Sequence, residues 1–458
     1  MLRTVGEQPS LWESVLPAEV LVMPAELAAV DRLLDDPRFF EPFRAFFHPV
    51  LGRPSIPMET YLRLMFLKYR YQLGFEPLCR EVSDSITWLR FCRIPLGGRA
   101  PHPTTLMKIT SRCGERAVAE LNEALLAKAA EARVLKVARV RADTTVIEAN
   151  VAYPTDSGLM TKGITAIAKA AARVREAGLA RRTRFRDRTR SARARCRAIN
   201  ANLRRRSDEA QADVRRINAE IVRIARATAR QAEAVARNAR RGLRSAGRVD
   251  GRVTAAVDRL TTLARRVAKV AEQCSQRLAG HHPEGATRIV SMHDAEARAI
   301  RKGRIGKPVE FGYKAQVVDN DDGVVVDWQV EAGNPTDAPQ LAPAIARVAR
   351  RAGRAPRVVT ADRGYGEATV DHDLHALGVT HVVIPRKGRP SQQRHALEQQ
   401  RPFRRHVRWR TGAEGRISCL KRDYGCRRTR MDTLAGARTW TGHGILAHNL
   451  VKIAGLLA

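Results

Sequence analysis

Asp143, Asp362 and Glu414 are the side chains whose type and setting in this sequence point to chemistry. Asp143 interrupts a β-like run of branched residues over 137–146. Asp362 ends the apolar run 358–361, just before Arg363, Gly364, Tyr365 and Gly366. Glu414 opens a helical stretch in "RTGAEGRISCLKR", where Arg410, Glu414 and Lys421 follow an R-x3-E-x6-K spacing. On one helix, Glu414, Ser418 and Lys421 share a face at i, i+4 and i+7, so a carboxylate stands beside a phosphate-binding cation. Taken singly, an Asp at a strand end is usually a turn or cap residue. Three carboxylates converging from separate elements, with positions left for water and phosphate, suit Mg2+ or Mn2+. Two such ions about 3.5–4 Å apart clamp the attacking and leaving oxygens of an in-line phosphoryl transfer. A metal would supply the charge that a buried Asp362 needs. Gly364 and Gly366 would permit a tight turn and a close backbone approach to a ligand.

The elements that must position these acids are legible in outline. Residues 1–115 read as amphipathic helices, with Leu62, Phe66 and Tyr69 at helical spacing and Thr104 or Thr105 as the cap of a later helix. Short helices with basic residues between them resemble a helix-turn-helix, a DNA-docking geometry. Residues 116–160 and 281–458 read as one α/β domain. It has a hairpin at Asn320, Asp321, Asp322 and Gly323, and a helix capped by Asp337 with Pro339 in its first turn. A basic loop is expected between the strand near 380–387 and the helix that Glu414 opens. Residues 161–280 interrupt this domain with 32 Lys+Arg against 10 Asp+Glu. Val253, Val257, Leu260, Ala264, Val267, Ala271, Cys274 and Leu278 form an unbroken a/d seam. Val214, Ile217, Ile221, Ile224 and Val235 form a second seam, interrupted by Thr228 and Gln231. Two helices folded back near residues 240–252 are therefore expected, a long hairpin whose exposed faces lie along DNA backbone; disordered basic arms are the competing reading.

The whole chain supports a polyanionic partner. It has 458 residues, 82 Lys+Arg against 47 Asp+Glu and a net charge of +35, an excess that nucleic acid neutralises. No run of about 18 apolar residues spans a bilayer, and the N-terminal stretch lacks the apolar centre of a signal peptide. Seven scattered cysteines without a CxxC pair read as reduced thiols rather than a zinc site. His443 and His448 read as core or surface residues. No P-loop occurs, which disfavours ATP-driven chemistry.

With "RADTTVIEANVAYPTDSG", "GNPTDAPQL", "TADRGYGEA" and the R-x3-E-x6-K spacing in place, the chain resembles a DDE transposase of the insertion-sequence IS4/IS5 superfamily, near its IS5 and IS1182-like branch. The resemblance covers residues 135–160 and 290–450, and more weakly the N-terminal helices. It implies an RNase H-like catalytic domain, a mixed sheet flanked by helices. Asp143, Asp362 and Glu414 become catalytic ligands of two Mg2+ ions, for which Mn2+ can substitute. Arg410 and Lys421 become contacts to DNA phosphates. The implied partners are double-stranded DNA, as terminal inverted repeats and target, and a second copy of the chain in the DNA complex; no membrane is involved. The implied setting is the bacterial cytoplasm, at the nucleoid. The implied reaction cuts and rejoins DNA at the ends of a mobile element, with water and then a 3′ hydroxyl as nucleophile. An RNase H-like nuclease without strand transfer, or a non-enzymatic DNA-packaging protein, is the alternative. The family signature begins with a Tyr three positions before its Arg; Val407 stands there, and Tyr424 comes too late to replace it. The basic helical stretch is an insertion relative to compact members of the family.

Overall fold

A computed structural model describes residues 1–4, 15–205, 207–245, 251–301 and 308–458. Part of the N-terminal stretch read for a signal peptide, and the turn between the two long basic helices, lie outside these residues. The chain divides into two compact units, one of residues 1–150 with 313–458 and one of residues 151–312.

In chain order the helices are α1 (Ala25–Leu34), α2 (Met58–Arg70), α3 (Phe75–Ser83), α4 (Ile86–Phe91) and α5 (Pro103–Glu131), followed by strand β1 (Arg139–Glu148). The second unit holds α6 (Asp156–Glu176), α7 (Thr189–Asn202), α8 (Asp208–Ser245), α9 (Gly251–Leu278) and β2 (Arg298–Arg301). β3 (Val309–Asn320) leads back into the first unit. There β4 (Val325–Ala332), α10 (Ala338–Ala352), β5 (Val358–Thr360), α11 (Ala368–Ala376), β6 (His381–Val383), α12 (Gln392–Gln399), α13 (Arg401–Arg410), α14 (Gly412–Asp423) and α15 (Thr433–Leu457) follow.

The first unit is mixed α/β. Its sheet runs β3-β1-β5-β6, with β4 antiparallel to β3 and with β5 parallel to both β1 and β6. Apolar residues of β1 (Val140, Ala142), of β5 (Val359) and just after it (Ala361) join residues of α2, α5 and α15 in a single core. The helical run of α5 is broken at Gly114 (φ +55°, ψ −153°), beside residue 115, the expected edge of the N-terminal helical domain; the helices on both sides of the break belong to this unit. The cap of α5 is His102 rather than a Thr, its ring nitrogen accepting from the Thr104 N–H at 3.3 Å. With Pro103 supplying the first helical residue, the cap lies two places before Thr104. The central helix α15 is buried along most of its length. A side chain at Gly442 would collide with Val118 and Trp328, so glycine is what lets α15 lie this close to α5 and β4. Asn449 exchanges both its amide groups with the backbone of Val325, and His448 bonds the Gly323 carbonyl at 3.0 Å. The helix thereby grips the hairpin turn, which closes at Asn320–Gly323 as expected, with Gly323 at φ +77°. The basic loop expected after β6 is instead two helices, α12 and α13. Ser391 caps α12, and Pro402 starts α13.

The second unit is largely helical. Arg226 pairs with Glu272 and Arg240 with Asp258, and the constant sum of these numbers makes α8 and α9 antiparallel. This is the hairpin the two seams predict, but α6 and α7 pack on it, so the segment is a helical cluster rather than an isolated pair. The seam of α9 is buried from Val257 to Cys274, while Val253 is half-buried and Leu278 exposed. Both interruptions of the α8 seam have partners. Buried Thr228 donates its hydroxyl to the Ile224 carbonyl at 2.8 Å, and Gln231 accepts from Arg186 N–H and Arg188 in the loop before α7. At Gly163 on α6, a side chain would strike Val267 of α9.

Candidate active site

Arg139, Arg141 and Asp143 alternate along one face of β1, as the period of a strand requires, while Val140 and Ala142 enter the core. β1 and β5 pair in parallel register, Arg139 with Val358 and Arg141 with Thr360. Continued by two residues, that register sets Asp143 opposite Asp362, on neighbouring strand paths about 4.8 Å apart. Both therefore emerge where β5 ends and its chain turns away.

The local turn at Asp362 is built by the residues that follow it. Its carboxylate accepts from the Gly364 N–H at 2.8 Å and caps a single 3-10 turn, Arg363–Tyr365. Asp362 is half-exposed rather than buried, because this cap and the solvent carry part of its charge. Gly366 provides a close approach, but to backbone: a side chain there would collide with Pro385 and Lys387, and its carbonyl accepts from the Lys387 N–H at 2.8 Å.

The third acid arrives on α14. Arg410, at the end of α13, reaches both sides: its guanidinium lies 3.6 Å from an Asp143 oxygen and 3.2 Å from Glu414. Burial pushes the Asp143 carboxyl up to about 6, and the charges of Asp362 and Glu414 push the same way. The Thr144 N–H at 2.7 Å and Arg410 oppose them. Glu414 is largely exposed, at 66%. Asp143, Asp362, Glu414 and Arg410 are thus one electrostatic group, with Lys421 seven residues beyond Glu414 on the same helix, about 10.5 Å along its axis.

Among the described residues, no three His, Cys, Asp or Glu side chains are arranged to hold a metal ion. In this conformation Arg410 bridges two of the acids and stands where a cation would stand. The donor set fits a divalent ion nonetheless. It offers oxygen ligands only, one of them a largely buried carboxylate whose proton affinity is raised chiefly by that burial.

Several residues that hold this group in place were not read from the sequence. Arg141 and buried Asp319 pair through two 2.8 Å bonds, and Arg141 also donates to the Trp409 carbonyl at 2.9 Å. The guanidinium groups of Arg139 and Arg141 both lie over the Trp409 ring, 4.2 and 4.6 Å from its centroid. A side chain at Gly412 would collide with Arg141, so glycine gives that guanidinium its passage. This lattice fastens the junction of α13 and α14 to β1, and so sets Arg410 and Glu414 against Asp143. The alternating Arg139, Arg141, Asp143 was the available signal. On the other flank, Asp337 makes no side-chain cap bond to α10 and pairs instead with Lys314 at 2.8 Å, while Gln316 donates to the Tyr365 hydroxyl at 3.2 Å. Val407, where the signature has Tyr, packs against Val358, Val383 and Phe403. Tyr424 is buried against His448. His443 stacks on Tyr69, and burial lowers His443 to about 3 and His448 to about 4, which keeps both neutral.

Comparison with known proteins gives two family matches. Residues 18–112 match the family described as "Transposase domain (DUF772)", and residues 280–450 match the "Transposase DDE domain". The second range contains Asp362, Arg410, Glu414 and Lys421; Asp143 lies before it. The chain is also similar to an uncharacterised protein, ORF8 in the nfe locus of Rhizobium meliloti, with 32% identity over 132 residues. The match covers 28% of this chain and 63% of that protein's length. No solved structure matches.

Proposed function

We propose, from the premise that this chain is a DDE transposase of the insertion-sequence kind, that it performs metal-dependent cleavage and strand transfer at DNA ends. In this reading the first unit is an RNase H-like catalytic domain. Asp143, Asp362 and Glu414 hold Mg2+, with Mn2+ able to substitute. When bound, the ions supply Lewis acidity at the phosphate and a nucleophilic oxygen at neutral pH. Asp143 loses its proton on binding them, and its burial makes the resulting contact strong. Arg410, released from the two carboxylates, turns to a phosphate beside the scissile one, where its planar donors bind two oxygens at once. Lys421 contacts a phosphate further along the same strand. The exposed Arg401, Arg405 and Arg408 on α13 continue that track, at i, i+4 and i+7. Terminal repeats and target DNA are the substrates, and two copies of the chain act together on paired ends.

One observation carries this reading: Asp362, just past the end of β5, interacts electrostatically with Asp143 on the paired strand β1, and a guanidinium bridges Asp143 to Glu414. The test is incubation of the protein with end-bearing DNA and Mg2+, with nicks and joined products mapped separately. Cleavage at the ends followed by joining supports transposition. Cleavage without joining under any condition makes the protein a nuclease, and no cleavage with Mg2+ or Mn2+ removes the catalytic reading.

A further inference from the structure

The second unit carries an arginine on α8 at every seventh residue: Arg216, Arg223, Arg230, Arg237 and Arg244. A repeat of seven brings a helical residue back to nearly the same side, drifting about 20° per step, so these five form one ridge. The ridge lies opposite the buried seam of Ile217, Ile221, Ala225, Ala232 and Val235. All five are exposed. Arg216 pairs with Asp213 and Glu220. Among the described residues, no carboxylate comes within ion-pair distance of Arg223, Arg230, Arg237 or Arg244. The flanks of α8 are different: Arg226 and Arg240 are engaged by Glu272 and Asp258 of α9, and Glu220 by Arg195 of α7. Between the ridge arginines Ala219, Ala227 and Ala234 occupy one of the two intervening positions of each turn, with Glu220, Arg226 and Glu233 at the others. Beside it, α7 contains no acid and presents Arg190, Arg193 and Arg197, all exposed, at i, i+3 and i+7.

A solvated helix face ordinarily interleaves both signs, because like charges on one face repel. Here Glu220, Asp258 and Glu272 are engaged on the helix–helix flanks, and the outward side from Arg223 to Arg244 is left without an ion-paired acid. We infer that the α8 ridge, with α7 beside it, is a second nucleic-acid surface that follows the phosphate backbone of a duplex without reading its bases. Its 28-residue span is about 42 Å, the length of roughly 12 base pairs. Arginine is the residue for such a track, since it binds phosphate oxygens in pairs and never loses its charge. No side chain suited to apolar base readout, and no glutamine or asparagine row, stands on the ridge, so sequence preference should be absent. The inference rests on DNA being the partner, as proposed above, and extends it to a unit that has no part of the catalytic group.

The test uses the full-length chain with Arg223, Arg230 and Arg237 changed together to Ala, and a random 24-base-pair duplex followed by fluorescence anisotropy through a salt series. Each lost phosphate contact removes about 0.9 from the slope of log affinity against log salt. The triple variant should therefore lose about 2–3 from the slope and bind at least tenfold more weakly near 0.15 M salt. Arg→Lys at the same positions, which keeps the charge, should restore most of the slope. Arg259→Ala, Arg265→Ala and Lys269→Ala together remove the same charge from α9 and should change binding less than threefold. Circular dichroism checks that each variant keeps its helices. An unchanged slope in the ridge variant, or equal losses in ridge and α9 variants, overturns the inference. So does loss of binding to phosphatidylserine vesicles with duplex binding intact, which would make the ridge a membrane surface. End cleavage by the ridge variant at low salt reports on the catalytic reading separately: retained cleavage with an unchanged slope sinks the ridge alone.

Discussion

Asp143 combines two properties that pull against each other, burial and a carboxylate charge. Its carboxyl is raised to about 6, so the folded protein holds that proton more tightly than the unfolded chain does. The metal-free fold is then penalised as pH rises from about 4 to about 6, and the full penalty persists above 6. Asp143→Asn should therefore stabilise the metal-free protein at pH 7 by about 2–3 kcal/mol, read from urea midpoints, and the gain should vanish near pH 4. The same variant, like Asp362→Asn and Glu414→Gln, should abolish end cleavage while duplex binding stays within about twofold; near-wild-type nicking by any one would remove that residue from the group. Protons and metal compete for Asp143, so divalent affinity measured by calorimetry should fall as pH drops below about 6. Arg410→Ala should tighten that affinity, since it removes the cation now bridging the acids, while weakening duplex binding. The three acids were legible because each breaks a local pattern: a charge within a β run, a charge at a strand end, a carboxylate in a fixed spacing. Arg410's contact with Asp143 was not, because it joins residues 267 positions apart and follows from no periodicity.

At the scale of elements, the candidate group depends on a lattice in which two arginines of β1 stack on Trp409 and Gly412 clears the path of one. Gly412→Ala would force Arg141 away from Asp319, which is 2% exposed and would keep only the looser Arg416 contact at 3.4 Å. Breaking a buried pair from one side costs about 3–5 kcal/mol. Since the displaced atoms are the end of a flexible side chain, the variant should lose part of that in urea denaturation, and cleavage should fall with it as Glu414 shifts from Asp143. Unchanged stability would mean that Arg141 has another route to Asp319. The hairpin, β1, α10 and α14 could be read from alternation, turn residues and spacing. Helices α12 and α13 could not. Their arginines mask the helical period in hydropathy, and Phe403 is the buried residue of α13. The helical cluster exceeded the hairpin for a related reason: α7 buries Ala192 and Ile199 and little else, too weak a stripe to announce a packing helix.

At the scale of the molecule, a buried lysine sets a pH dependence that the active group does not. Lys68 on α2 is 3% exposed, with its ammonium 4.1 Å from the Trp440 ring centroid and 4.3 Å from that of Tyr69. Burial, with Arg430 adding to it, lowers Lys68 to about 7. The unfolded chain then binds the proton more tightly between about 7 and 10.5, so this group makes the fold less stable as pH falls through that window. Lys68→Met should stabilise the protein at pH 7 by about 1–3 kcal/mol, the rings offsetting part of the burial cost, and the difference should close by pH 10.5. A difference independent of pH would mean that the ammonium stays charged in the fold.

The pairing of β1 with β5 also sets when the protein can come into being on the ribosome. Asp143 and Asp362 lie side by side, yet 219 residues separate them in the chain. At about 5–20 residues per second, β1 waits roughly 10–40 s after its own synthesis before its parallel partner exists. The helices of residues 151–312 emerge during that wait and satisfy one another through nearby contacts, which form quickly. A nascent chain thus acquires its basic surface first and the pairing that brings Asp143 to Asp362 last, so an interrupted translation product would carry the proposed DNA surface without the proposed catalytic group.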